Sequence, residues 1–223
     1  MHTDMALARL FQLISPSLPI GGYTYSQGVE WAAEAGWIKS EDELFDWLRG
    51  LIESNLCYLE LPVLFRMMDA WTQRDLAALT QWNDYLLASR ETSELLQEES
   101  NRARAFYQVL ITLEPSAELH KTELMGSQHA CFSYACVQWG IDRQRAAYGL
   151  LWSWMENIVL SAVKIIPLGQ SAGQRVIFKL SEFLPFVIKK ATQVEDFDIG
   201  SSSMAMSIAS CQHETQYTRL FRS

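Results

Sequence analysis

Apolar residues recur at intervals of three and four along almost the whole chain, and that spacing restricts it to packed helices. Leu7, Leu10, Phe11 and Ile14 fall at i, i+3, i+4 and i+7 and define a first amphipathic helix. Leu44, Trp47, Leu48, Leu51, Ile52, Leu56 and Leu59 form one long stripe, preceded by Ser40-Glu41-Asp42-Glu43. In such a capping box the Ser40 hydroxyl accepts from the third helical amide while Glu43 reaches back. Pro62 suits the first turn of a following helix whose face is Val63, Leu64, Met67, Met68 and Trp71. Asp75 is the expected N-cap of a helix carrying Leu76, Leu79 and Leu86. The pattern repeats over 90–110, and a helix after the Pro115 loop runs to about Trp139, where Gly140 stops it. Asp142 opens a long helix that Pro167 closes, and shorter ones are expected over 174–180, 186–191 and 204–213.

No window alternates with period two for long enough to make a strand. The expectation is an all-α fold: a single helical-bundle domain over residues 1–223, of about ten helices. It carries a shaped N-terminal loop and a C-terminal tail from about residue 213, expected to order on a partner. Hydrophobic residues make up 49% of the chain and eight are Trp, a composition that supports one sizeable core. The net charge of −8 and the lack of clustered Lys and Arg argue against nucleic acid and anionic membranes as partners. They suit a basic partner protein or a cation. Cys57, Cys131, Cys136 and Cys211 are scattered, and no secretory pattern opens the chain, so a reducing, cytoplasmic setting is expected. The stretch 146–166 is membrane-like in hydropathy but contains Glu156, Asn157 and Lys164. It reads as a buried central helix, in which Glu156 and Lys164 each find a partner, reach an edge or serve a function.

Catalytic and cofactor chemistry find little to stand on. No glycine is followed by Lys, which excludes a P-loop. Cys131 and Cys136 are five apart and fall on different helix faces. Cys211 and His213 are the one close pair of soft ligands, weak candidates for a metal contact beside the simpler reading of a core cysteine and a partner-facing histidine. His120 and His129 are isolated, and no G-x-S-x-G elbow occurs. Glu98-Glu99 is expected on a solvated helix face.

Three segments are too distinctive for plain connectors. One is the loop S-P-S-L-P-I-G-G-Y-T-Y-S-Q-G-V-E from Ser15 to Glu30. Another is W-S-W-M-E-N-I-V-L-S-A-V-K-I-I-P-L-G-Q-S-A-G-Q from Trp152 to Gln174. The last is the tail H-E-T-Q-Y-T-R-L-F-R-S from His213. In these blocks the sequence resembles the UreF family of urease accessory proteins, with Tyr23-Thr24 standing where Phe-Ser is more usual and Cys211 an untypical residue.

The resemblance implies an all-helical, dimeric, non-enzymatic protein that binds a second accessory protein, UreD or UreH. The pair would recruit the GTPase UreG and dock on apo-urease, nickel entering the active site as GTP is hydrolysed. No cofactor is then bound tightly, and nickel at most passes in transit. The blocks nominate Tyr23, Tyr25, Glu30, Lys164, His213, Glu214, Tyr217, Arg219, Phe221 and Arg222 for partner binding. Two rival classes stay open: an enzyme with a spatially assembled site, and a helical regulator of a small ligand.

Overall fold

The computed structural model describes residues 2–223, and among them there is helix and no strand. The α-helices are α1 (His2–Ile14), α2 (Val29–Glu34), α3 (Glu41–Leu51), α4 (Leu61–Gln73), α5 (Leu76–Ala88) and α6 (Ser93–Leu113). They continue with α7 (Lys121–Leu124), α8 (Gln128–Gln138), α9 (Arg143–Ile165), α10 (Gln170–Ser181), α11 (Leu184–Ala191) and α12 (Met204–His213). The sequence signals that begin these helices act as chemistry dictates. Ser40, Asp75 and Asp142 accept from the amides of Glu43, Ala78 and Arg145. Glu43 returns a carboxylate oxygen to the Lys39 amide at 2.7 Å. Gly140 takes the positive φ of 68° that ends α8.

Three departures from the sequence expectation have physical reasons. Pro62 does not start a separate helix: α3 runs into α4 through a π-helical stretch, Ile52–Glu60. Proline has no amide to donate, and the wider π turns immediately before it let the chain pass without a break. The expected helix before Trp139 is two, because Gly126-Ser127 interrupts it and Ser127 caps α8 by accepting from Ala130. The Ser15–Glu30 block holds a 3₁₀ turn (Gly22–Thr24) and the start of α2, where its prolines and glycines pointed only to loop.

One contiguous core links nearly every helix. α4 is the most deeply buried, with Leu61, Val63, Leu64, Phe65, Met67, Met68, Ala70 and Trp71 all inside, and it packs chiefly on α8. α9 lies across α1, α2, α10 and α11. Gly149 lets α1 approach, since a Cβ there would come within 2.6 Å of Leu10. The stretch expected as a helix buried all round is in fact one-sided. Leu150, Leu151, Met155, Ile158 and Val159 face the core, Glu156 is half-buried and Lys164 is exposed. Burial raises the Glu156 carboxyl above its usual range. No described helix is long and apolar enough to cross a membrane.

Within this core sits a charged cluster that the sequence did not announce. Glu98 and Glu99, expected in solvent, are both buried. The Arg90 guanidinium donates to both oxygens of Glu60 at 2.5 and 3.1 Å and to Glu99 at 2.7 Å. The His129 Nε2 stands 3.1 Å from Glu60 and its Nδ1 3.9 Å from Glu99. Burial alone would raise the Glu60 carboxyl, but Arg90 and His129 bring it down to about 2, and Glu99 is likewise held low. Burial alone would lower the His129 pKa, but the two carboxylates lift it to about 9. The cluster ties the π stretch, the start of α6 and the start of α8 together by charge. A charge removed from such a set leaves its partner buried and unpaired.

The sign of the pH dependence follows. His129 has a folded pKa above its usual 6.5, so its contribution is complete below pH 6.5 and is lost as pH rises through about 9. Glu60 contributes above its usual 4.5 and loses that as pH falls through about 2. Chemical denaturation across pH should therefore show stability declining between pH 7 and 10, with that alkaline slope flattened in His129→Leu even though the variant is weaker at neutral pH.

Candidate partner-binding site

The N-terminal loop and the C-terminal tail meet on one side of the α9 helix, and the residues that join them come from both ends of the chain. Gly21, at φ 75°, turns the loop so that Thr24 can bond back to its carbonyl through both amide and hydroxyl. Ser161 of α9 donates to the Tyr25 carbonyl at 3.2 Å, fixing the next residue against the body. Gly28, at φ 83°, passes so close to α12 that a Cβ would stand 3.0 Å from the Ala209 side chain. The tail then lies on this loop. The Ser26 amide and hydroxyl both donate to the Ser223 carbonyl at 2.8 and 2.5 Å, and the Arg222 amide donates to Thr24 at 2.9 Å.

Glu30, in the first turn of α2, is the hub. One carboxylate oxygen accepts from the Leu220 amide at 2.6 Å and the other from the Phe221 amide at 2.8 Å. That second oxygen also lies 3.2 Å from His213 Nε2. On the far side of the ring, His213 Nδ1 is 2.7 Å from Glu94, whose other oxygen accepts from Arg219 at 2.7 Å. The ring is thus enclosed between two carboxylates, one on each nitrogen. Glu214 closes the set by accepting from the Ser93 hydroxyl and the Glu94 amide at the start of α6. The Ser93 bond chiefly, and that amide, hold the Glu214 carboxyl below its ordinary value against a smaller effect of burial.

This arrangement sorts the ten nominated residues. Tyr25, Glu30, His213 and Phe221 are buried, so they hold the tail and do not present side chains to a partner. Glu214 is half-buried and belongs with them. Tyr23, Lys164, Tyr217, Arg219 and Arg222 are exposed, with Tyr217 wholly so, and Leu220 joins them although the sequence reading passed it over. Lys164 lies 5.8 Å over the Phe221 ring, so the cation and the tail are neighbours. The tail, expected to order on a partner, makes these contacts with the loop of its own chain. Each lacks partners alone, but each supplies the other's.

Sequence reasoning missed Glu94, Ser26 and Gln27. Glu94 looks like any acidic residue in a helix's first turn, and its partners His213 and Arg219 come from far along the chain. Gln27 adopts φ 50°, unusual for a residue with a side chain. Its amide donates to Glu98 at 3.0 Å and accepts from Trp154 at 2.8 Å. Glu98 also takes Arg102 at 2.9 Å and the Ser223 hydroxyl at 3.1 Å, so the tail is wired into the buried charges behind it. Neither weak metal candidate survives the geometry as a pair. Cys211 is exposed, while His213 is enclosed and occupied by Glu30 and Glu94. Among the described residues no group of three or more His, Cys, Asp or Glu side chains is arranged to hold a metal ion.

Comparison with known proteins agrees with the resemblance. The UreF family model matches residues 38–181. A urease accessory protein UreF from Alcanivorax borkumensis is 53% identical over 227 residues, covering 99% of each chain. One of the same description from Hahella chejuensis is 42% identical, covering 98% of this chain and 99% of its own. Another, from Pseudomonas putida strain W619, is 42% identical over the full length of both.

The structural role of His213 is open to a direct check. His213→Ala leaves Glu30 and Glu94 buried without the ring between them and should cost about 3–5 kcal/mol in urea unfolding. Cys211→Ser, at an exposed site, should change stability by less than about 0.5 kcal/mol.

Proposed function

The chain belongs to the UreF family of urease accessory proteins and is a maturation factor for urease, not itself an enzyme; from that premise we propose that it bridges a UreD- or UreH-type partner and the UreG GTPase on apo-urease, and gates GTP-dependent nickel delivery. On this reading the protein works as a homodimer in the cytoplasm. It binds no cofactor tightly, and nickel is cargo in transit to urease. GTP is bound and hydrolysed by the partner.

The observation that carries the reading is the exposed rim around the joined loop and tail. Tyr23 is 53%, Leu220 66% and Tyr217 fully exposed, on backbone that buried hydrogen bonds hold in place. Aromatic and arginine side chains on a fixed frame bind at low entropic cost, and such residues dominate interface energetics. The neighbouring Lys164 is an exposed cation at the same edge, over the Phe221 ring. A cation offered to phosphate in trans accelerates hydrolysis by about 10³–10⁵ in the arginine-finger case.

Deleting Tyr217 to Ser223 should leave the helical content intact and abolish capture of UreD and UreG in pull-downs; unimpaired capture would end the proposal. Tyr23→Ala and Arg219→Ala should each weaken capture by about 2 kcal/mol. Their effects should sum to less than additive, because the two residues share one surface. Fully additive losses would mean two separate sites. Lys164→Ala should keep UreD binding and alter GTP turnover in the assembled complex.

A further inference from the structure

Behind the tail joint lies a chamber of about 70 Å³, bounded by the π stretch, α6, α8 and α9. One wall is apolar, with Leu95, Leu150 and Met206. The other carries three carboxylates (Glu60, Glu98, Glu99) and three cations (Arg90, Arg102, His129). Counting bonds on that wall shows an imbalance. Glu60 is filled by Arg90, Glu99 by Arg90 and the Gln128 amide, and Glu98 by Gln27, Arg102 and Ser223. The cations are not filled in return. Arg102 Nε is buried without a hydrogen-bond partner, and neither ring nitrogen of His129 meets hydrogen-bond geometry, although they lie 3.1 Å from Glu60 and 3.9 Å from Glu99. Both residues are more than nine-tenths buried, Arg102 at 9% and His129 at 4% exposure.

A buried polar group without a partner is costly, and the wall's surplus consists of charged N–H donors facing a space with room for a few heavy atoms. An oxyanion adds only acceptor oxygens, which is what donors without hydrogen-bond partners lack. We propose that this chamber is a binding site for a small oxyanion, a carboxylate or a trigonal inorganic ion, held by Arg102 Nε and the His129 ring against the apolar wall. Two further features belong to such a site. The π stretch brings Asn55 and Glu60 to the same chamber, and π turns recur where helices carry function. Gln27, which also lines it, holds a backbone conformation that costs energy and persists only when its surroundings enforce it. Through Gln27 and Glu98 the chamber also touches Ser223, yet the proposal stands independently of any partner bound at the tail.

The test is thermal unfolding of the full chain in sodium formate or sodium nitrate against sodium chloride at equal ionic strength. A ligand that binds the folded state raises the melting temperature saturably. A rise in formate alone assigns the site to carboxylates, and a rise in nitrate alone to inorganic oxyanions. Arg102→Lys keeps a charge for Glu98 but has no Nε–H, and should weaken the effect about tenfold or more, as expected of one charge-assisted hydrogen bond. If circular dichroism shows that variant unfolded, Ser153→Phe, which fills the chamber and leaves the charged groups in place, should abolish the shift. A crystal soaked in formate should show it within hydrogen-bond distance of Arg102 Nε. Water alone in the soaked chamber, no saturable rise in either salt, or a rise indifferent to both variants would overturn the proposal.

Discussion

One buried carboxylate, that of Glu30, decides whether the two ends of this chain form a surface at all. Its oxygens take the amides of Leu220 and Phe221 and one nitrogen of His213, so a single side chain on a six-residue helix collects three donors from the C-terminal segment. Charge-assisted bonds of this kind are roughly twice as strong as neutral ones, and enclosure keeps water from competing. Remove that acceptor and two amides and an imidazole lose their partner together. The exposed positions of Tyr217, Leu220 and Tyr23 are therefore consequences of chemistry that lies beneath them.

Stability is arranged so that this joint does not stand alone. The tail reaches Glu98 through Ser223, Glu98 holds Arg102 and Gln27, and Gln27 holds Trp154 on α9. Next along α6, Glu99 joins Arg90, Glu60 and His129. Charges inside an apolar core add little net stability compared with hydrophobic packing, but each becomes expensive to strand once buried. Such a network favours a single arrangement of loop, tail and α6 over loosely packed alternatives. That suits the partner-binding role proposed above.

Helix number, type and most boundaries were legible because they rest on local rules. Ser40, Asp75 and Asp142 cap by reaching three residues ahead, and Gly140 terminates by its own φ. The three distinctive blocks also led to the family, and the relatives align over 98% or more of this chain, beyond the 38–181 family match. What failed was long-range pairing. Glu98 and Glu99 look solvated in sequence because their partners are Ser223, Gln27, Arg90 and the Gln128 amide, which only the fold brings near. Tyr25, Glu30 and Phe221 were nominated for partner binding, but their side chains are buried in the joint, and residue type cannot say which side of it faces out. Lys164, read from sequence as paired, drawn to an edge or functional, is exposed because α9 reaches the surface at its last turn.

Hydrogen exchange at the amides of Leu220 and Phe221 tests the central claim most directly, because those two protons sit on Glu30 itself. In the isolated wild-type protein both should be protected well beyond an unstructured tail. In Glu30→Ala both should exchange as a free chain would, while the amides of α4 and α8 stay protected. Unprotected amides in the wild type, or protection that survives the loss of Glu30, would contradict the account.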